Sequence, residues 1–304
     1  MRVYVPYHPT NAGHWVYNGF FKAWEEMGYD PVFYGAGNPL SSLVDSQDYI
    51  VMGVANSFND GVNLSLLEKS RKTILFAPPT FYPDPWGSHP NWQTLITQEA
   101  MKELNALENC FLWTFTNKKG EKYYKGWKKV HSLPLALDSI SYKPEEVPLN
   151  CDVCFVGSSA NNGFNEKLPI MKKVFDFLEN SPFKAELHIN KNLTHKDEND
   201  LLNRSKVALN IHDSYQRELG LDCNERTFKA LGVNGILVND EVEEVKNIFP
   251  KTKCESSLSG IFKAIKEYCE MDNEKLRSIK KKNQEEILRS HTYIHRVTEM
   301  LSLK

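Results

Sequence analysis

Leu209-Asn210-Ile211-His212-Asp213, then Asn224-Glu225-Arg226-Thr227-Phe228-Lys229-Ala230-Leu231-Gly232, then Gly235-Ile236-Leu237-Val238, is the stretch of the chain that decides its fold. An apolar strand ends in polar residues, a polar loop follows, and a short helix opens with an Asn cap. That helix closes at a Gly before the next apolar strand. This is one turn of a wound α/β sheet, with its polar residues where the strands end and ligands bind. Arg226 and Lys229 stand three apart and so share a helix face. Two cations beside a helix N-terminus suit a diphosphate. Glu225 is placed to accept from sugar or ribose hydroxyls. A solvated amphipathic helix with an Asn cap has the same spacing, so the surroundings must decide.

Working outward, strand and helix patterns alternate along nearly the whole chain, the signature of parallel α/β construction. Residues 152–156, 186–189, 207–211 and 236–239 read as strands of the second half. Helices are expected at about 166–178, 199–204 and 225–231, and the chain from Leu258 onward is helical and charged. The first half reads the same way. Strands are expected at 2–6, 31–34, 49–52, 73–76 and 111–115, with an extended segment at 131–137. Helices are expected at 14–27, ended by Gly28, and at about 93–107. Polar, Pro-containing residues 139–149 look like a linker. The expectation is therefore two α/β units, not one continuous sheet.

Composition narrows the function. The chain has 304 residues, 41% hydrophobic and 25% charged, a globular balance with room for two cores. No apolar run reaches the roughly 18 residues of a membrane span, and no signal-peptide pattern opens the chain; peripheral membrane contact stays open. A formal charge of -2 is not that of a general polyanion binder. Six scattered cysteines do not form a disulfide framework and point to reducing cytoplasm. Cys151 and Cys154 lie on an expected strand, where residues three apart face opposite ways, so we expect thiols and no metal.

Two further turns carry candidate chemistry. Tyr7-His8-Pro9-Thr10-Asn11-Ala12-Gly13-His14-Trp15 joins a strand end to a helix start, a place that favours anions. Gly13 is a candidate donor-binding residue, where a missing side chain would let the ligand approach. His14 is a candidate general base on an acceptor hydroxyl, or simply a residue packed at the helix start. The matching turn of the second half, Val156-Gly157-Ser158-Ser159-Ala160-Asn161-Asn162-Gly163, is small enough for phosphate to reach backbone N–H groups. Neither is a dinucleotide fingerprint, and no phosphate-binding P-loop or D-x-D motif occurs.

Taken in order, these stretches resemble the GT-B-fold glycosyltransferases, in particular the spore-maturation-protein-like (CgeB-like) group. Asp152-Val153-Cys154-Phe155-Val156-Gly157-Ser158 is similar to that group's opening strand. Ser205-Lys206-Val207-Ala208-Leu209-Asn210-Ile211 is similar to its "S-K-x-x-L-N-I" strand. Asn224 to Lys229 with Gly235 is similar to its "N-E-R-T-F" segment. His291-Thr292-Tyr293-Ile294-His295-Arg296 is similar to its terminal helix. Leu133-Pro134-Leu135-Ala136-Leu137-Asp138, with Pro144, is similar to the junction of GT-B enzymes. The resemblance implies two Rossmann-like domains facing a central cleft. It places an acceptor domain at 1–143, a nucleotide-sugar donor domain at 150–285, and a terminal helix at 286–304 that crosses back toward the first domain. It implies donor contacts from Gly157, Ser158, Ser159, Asn210, His212, Asn224, Glu225, Arg226, Thr227 and Lys229. Many relatives carry Glu where Lys229 stands, and that Glu commonly meets the donor ribose. Here either Glu225 takes the ribose or Lys229 meets phosphate. The resemblance implies a nucleotide-diphosphate sugar as donor, a UDP-sugar first, no bound metal and no other cofactor. Arg226 would offset the charge of the leaving diphosphate.

The acceptor is expected to meet the first half. Residues 77–92 form a long loop in which Tyr82, Trp86 and His89 suit stacking, Asp84 is a second candidate base, and Trp15 lies near the first turn. Lys118, Lys119, Lys122, Lys125, Lys128 and Lys129 surround Tyr123, Tyr124 and Trp127. Basic residues interleaved with aromatics bind nucleic acid, anionic polymer or anionic lipid, and also form ordinary solvated faces. We expect Lys122 and Lys125 to touch an acceptor that is a glycan, an anionic polymer or a modified DNA base. Two alternatives to transfer stand beside it: a nucleotide-sugar epimerase of the same fold, and a non-catalytic nucleotide-sugar-binding protein.

Overall fold

The structure is a computed structural model that describes residues 1–9, 11–35, 37–45, 48–58, 64–77, 96–159 and 167–303. It falls into two units, Met1–Asp138 with Tyr293–Lys304, and Ser139–Thr292.

In the first unit, short β-rich runs form six parallel strands: β1 (Arg2–Pro6), β2 (Asp30–Tyr34), β3 (Tyr49–Val54), β4 (Lys72–Phe76), β5 (Cys110–Thr114) and β6 (Val130–Ser132). Their order is β2-β1-β3-β4-β5-β6, with every pairing parallel. The chain leaves β1 in one direction and returns to its other side as β3. A crevice therefore opens at the carboxyl ends of β1 and β3. Helix α1 (Asn11–Glu26) buries Val16, Tyr17, Phe20, Ala23 and Trp24, the spacing of one helical face. Gly28, at φ +81°, supplies the left-handed turn that ends it. Two short helices, α2 (Leu40–Leu43) and α3 (Leu64–Lys69), and α4 (Gln98–Leu104) complete the connections.

The second unit repeats this winding. Strands β7 (Cys151–Gly157), β8 (Ala185–Ile189), β9 (Ser205–Asn210), β10 (Leu237–Asp240) and β11 (Lys253–Glu255) lie in the order β11-β10-β9-β7-β8, all parallel. Its crevice lies at the ends of β7 and β9, so Gly157 and Asn210 flank it. Helices α5 (Lys167–Glu179), α6 (His195–Arg204), α7 (Ser214–Leu219), α8 (Glu225–Lys229), α9 (Glu243–Ile248), α10 (Leu258–Cys269) and α11 (Asn273–Ser290) surround the sheet. A π-helical turn, Ala230–Asn234, extends α8, and Gly235 follows at φ +84°. Such turns recur at functional sites. A side chain at Gly235 would run into the Lys280 backbone of α11, so the glycine also permits close packing.

The last helix, α12 (Tyr293–Ser302), packs within the first unit. The Tyr293 ring meets Phe20 at 4.7 Å, and Arg296 Nε donates to the Pro134 carbonyl at 2.7 Å. Lys72 Nζ donates to the Leu301 and Leu303 carbonyls, both at 2.8 Å, capping the helix end. Relative to the sequence reading, α2, α3, β11, α7 and α9 are additional elements, and the extended segment at 131–137 is only a three-residue strand at Val130–Ser132. Helix α1 begins three residues earlier than expected. Cys151 and Cys154 are both buried on β7 as free thiols, and burial pushes the Cys154 thiol up to about 12.

Candidate functional site

Strand β9 ends at Asn210 with its side chain fully buried, and such an amide must find partners. Its Nδ2 donates to Asn224 Oδ1 at 3.0 Å and to Thr227 Oγ1 at 3.1 Å. Its Oδ1 accepts from Arg226 Nη1 at 2.8 Å. Asn224 caps α8, its side chain accepting from the Thr227 N–H at 3.2 Å. One amide thus fixes both the start of α8 and the Arg226 guanidinium. The Arg226 guanidinium carbon lies 5.2 Å from the Phe155 ring centre, a cation–π contact. A Cβ on Gly157 would lie only 2.6 Å from that carbon. The missing side chain at the end of β7 is what lets Arg226 sit in the crevice. Burial draws the Arg226 guanidinium below its usual value, while Glu198, Asp213, Glu225 and Asp240 act in the other direction. It stays a cation.

Behind Asn210 stands a buried support. His212, with no exposed surface, donates from Nδ1 to Asp240 Oδ1 at 2.9 Å, and its backbone N–H meets the same carboxylate. Its Nε2 lies 3.4 Å from both Asn210 Nδ2 and Thr227 Oγ1. The carboxylate orients the ring and turns Nε2 toward this pair. Burial alone would raise the Asp240 carboxyl, but His212 and Arg217 outweigh it and hold it below the usual range. Arg217 bonds the His212 carbonyl at 2.6 Å and Asp240 at 3.2 Å. His212 therefore shapes the crevice through Asn210 and offers no open edge. The sequence reading did not single out Asp240 or Arg217. The signal for Asp240 was available: two neighbouring parallel strands both end in polar residues.

Lys229 does not lie with Arg226 at an open surface. Its Nζ sits 2.8 and 2.9 Å from the two Glu198 oxygens and 3.5 Å from Glu225. Tyr142 donates its hydroxyl to Glu198 at 2.6 Å, and its ring lies 5.1 Å from Lys229 Nζ. Burial opposes the Lys229 charge, yet Glu198 and Glu225 raise it above its usual value. Burial raises the Glu225 carboxyl. Glu198 and Tyr142 were not anticipated; the expected helix at 199–204 omitted the first turn of α6, where Glu198 lies. Of the expected donor residues on α8, Asn224 and Arg226 keep partial exposure while Glu225, Thr227 and Lys229 are buried.

The loop after β7 keeps Ser158 exposed. Ser159 is tied to Asn190, whose side chain accepts from the Ser159 N–H at 3.0 Å and donates to its hydroxyl at 2.8 Å. Asn190 itself adopts φ 53°, a left-handed position that Asn tolerates. Residues 160–166 lie outside the described residues.

In the first unit, Gly13 closes against His8, whose ring lies 2.7 Å from where a Cβ would stand. His14 Nδ1 is 3.1 Å from the His8 carbonyl, and Asn18 donates to the His14 carbonyl at 2.6 Å. The Asn18 side-chain Nδ2 also lies 3.2 Å from His14 Nδ1, so this nitrogen faces one carbonyl and one amide. Trp15 stands edge-on to His14 at 5.2 Å. Lys122 and Lys125 are exposed. Tyr82, Asp84, Trp86 and His89 lie outside the described residues. Among the described residues, no group of three or more His, Cys, Asp or Glu side chains is arranged to hold a metal, and no helix is long and apolar enough to cross a membrane.

Residues 152–302 match the family described as glycosyl transferase-like. No curated protein matches the sequence. Among solved structures, T4 phage β-glucosyltransferase with its UDP-glucose substrate is similar over 100% of both chains, at 11% identity and TM-score 0.58. Sucrose-phosphate synthase from Thermosynechococcus elongatus covers 99% of this chain and 98% of its own, at 10% identity and TM-score 0.63. An E. coli protein described as trehalose-6-phosphate bound with UDP-2-fluoro glucose covers 100% of both chains, at 11% identity and TM-score 0.63. The T4 phage protein is also described with UDP and Mn2+. At these identities the structures establish the fold, an α/β architecture of two parallel sheets that matches GT-B glycosyltransferases. With a glycosyl transferase-like domain over residues 152–302, the chain is an enzyme of the glycosyltransferase class.

Proposed function

We propose that this enzyme transfers a sugar from a UDP-sugar, bound by the second unit, to an acceptor hydroxyl received by the first. The observation that carries this reading is the Arg226 guanidinium, held by Asn210 and Phe155 over a glycine at the strand-end crevice. A fixed cation at the glycine end of β7 suits a diphosphate. The neighbours described with UDP or a UDP-sugar support uridine as the nucleoside. The motif order supports the CgeB-like group within the class. The domain roles then run as acceptor domain 1–143, donor domain 150–285 and terminal segment 286–304, within which the last helix is Tyr293–Ser302.

In the reaction, the acceptor oxygen forms a bond to the anomeric carbon. The bond from that carbon to the β-phosphate oxygen breaks, and its electron pair leaves with UDP. Arg226 offsets the charge that grows on the diphosphate, without need of a metal. His14 takes the acceptor proton. Lys229, paired with Glu198, holds α8 in place and does not reach the phosphates.

Thermal unfolding with UDP, UDP-sugars and other nucleoside diphosphates tests this on the wild type and Arg226→Ala. Ligand binding raises the midpoint with the logarithm of concentration above Kd. The expected result is a shift with UDP that Arg226→Ala abolishes, unchanged by EDTA. No shift with any nucleotide at millimolar concentration overturns the donor assignment. Product analysis separates transfer from epimerisation, which releases UDP without an acceptor.

A further inference from the structure

Residues 118–129 hold six lysines and one glutamate, hence five net positive charges, while the whole chain carries -2. All six lysines are exposed. The single acid, Glu121, accepts from the Ser132 hydroxyl at 2.9 Å and is turned toward β6. The segment is anchored from beneath. Asn117 caps its first turn by accepting from the Lys119 N–H at 3.0 Å. The Tyr124 hydroxyl bonds Thr114 at 2.5 Å inside the core. Asn105, the residue that ends α4, donates to the Gly126 carbonyl at 3.0 Å and accepts from the Lys128 N–H at 3.1 Å. The result is a firm backbone that presents cations outward.

We propose that this face docks double-stranded DNA as the carrier of the acceptor; the proposal rests on the transferase reading for the purpose of docking, though not for the binding itself. Three observations favour a duplex. Tyr123 and Trp127 are half-buried against the core, and Lys122 Nζ lies 4.9 Å from the Tyr123 ring centre, so these aromatics do not stand out as a stacking platform for single-stranded bases. The exposed large hydrophobic residues among those described are Met1, Tyr7, Leu168 and Leu288, none in this segment, so nothing apolar there enters a bilayer. A firm array of point charges matches a stiff polyanion with one charge per roughly 1.7 Å of axis.

Fluorescence anisotropy of a labelled duplex, titrated with the full-length chain from about 50 to 200 mM salt, tests the proposal. Each phosphate neutralised adds about 0.9 to the slope of log affinity against log salt. The triple variant Lys122→Gln, Lys125→Gln, Lys128→Gln is expected to lower that slope by about 2.7. Lys→Arg at the same three positions is expected to keep it, and Lys281→Gln with Lys282→Gln, on α11, to leave it unchanged. Parallel arms use the matching single strand and vesicles of anionic lipid. No duplex binding at the lowest salt, equal binding by the Gln triple variant, or tighter binding to single strand or vesicles overturns the proposal. The UDP-induced thermal shift is read separately on every variant. Its retention beside lost duplex binding shows a folded donor site, and its absence in the wild type fails the donor reading alone.

Discussion

Replacing Gly157 with Ala tests whether the crevice owes its function to one missing side chain. The new Cβ would lie 2.6 Å from Arg226 Cζ and 3.0 Å from Phe155 Cζ. Carbon atoms rest at about 3.5–4.0 Å, so the guanidinium must move by roughly 1 Å. That move breaks its 2.8 Å bond to Asn210 Oδ1. A hydrogen bond to a charged group contributes about 1.5–3 kcal/mol. If the bond serves to hold Arg226 where the diphosphate arrives, UDP affinity falls by about 10- to 150-fold. Stability falls by no more than that bond, about 1.5–3 kcal/mol, because the obstacle is the end of a long, half-buried side chain that can swing. Isothermal titration with UDP reads the first quantity and urea unfolding of the free protein the second. An unchanged UDP affinity, with Arg226→Ala abolishing binding, refutes the idea that Gly157 positions the cation. A loss of several kcal/mol in stability refutes the picture of a yielding guanidinium and makes Gly157 a packing residue.

The buried ion pair and the buried lysine of α11 give two stability tests. Glu198→Gln takes from Lys229, 6% exposed at its side chain, its nearest carboxylate, leaving Glu225 at 3.5 Å, and costs about 3 kcal/mol. Glu198→Gln with Lys229→Met recovers most of that in urea unfolding; a single variant within the error of wild type refutes the pairing. The Glu198 carboxyl is raised by burial but drawn below its usual value by Lys229 and Tyr142, so its contribution is present above the unfolded carboxylate value and fades as pH falls through the folded one. Lys280 donates to the Ser205 carbonyl at 2.6 Å, and burial lowers its ammonium to about 7. The unfolded chain then binds more protons, so stability rises with pH between about 7 and 9, by about 2–3 kcal/mol from this group. Lys280→Met flattens that rise, and an identical pH slope in the variant refutes it. Cys154, whose folded thiol titrates at about 12, works in the opposite direction only above its ordinary value, outside this window.

The winding was legible because it is written in local chemistry. Asp152 to Val156 and Val207 to Ile211 read as strands from apolar β-formers, and the Asn224 cap and the Gly235 turn mark both ends of the α8 region. Periodicity marked Trp15, Phe20, Phe21 and Trp24 as the buried face of α1; Phe20 and Trp24 are buried, whereas Trp15 and Phe21 are half-buried and Val16, Tyr17 and Ala23 complete the face. Arg226 was legible as a crevice cation for the same local reason, its place in the first turn of a capped helix. What escaped were partners distant in sequence. The i, i+3 spacing put Arg226 and Lys229 on one face, and they do lie near one another, since the Arg226 charge acts to lower Lys229. Spacing did not show that α6 brings Glu198 against Lys229, nor that Tyr142 closes the same pocket from the segment between the two sheets.

That pocket changes what Lys229 means. A lysine exposed beside Arg226 would double the charge offered to a diphosphate. A lysine bonded to both oxygens of Glu198, with Glu225 at 3.5 Å, is already neutralised and offers none. Four charges of alternating sign, on Glu198, Glu225, Arg226 and Lys229, surround the start of α8, and only Arg226 reaches the crevice. The others fix the helix that carries it. Losing any one of the buried three is costly because it leaves a partner charge behind. On the proposed reading, the same arrangement concentrates phosphate recognition in the Arg226 guanidinium, whose position is set by a buried amide on one strand and a glycine on the next. A charge-conserving Arg226→Lys therefore keeps the electrostatic sum but loses the planar fork that Asn210 and Phe155 hold, and UDP affinity is expected to fall nearly as far as in Arg226→Ala. Full retention of UDP binding by the lysine variant in the same titration would show that charge alone, and not this geometry, makes the site.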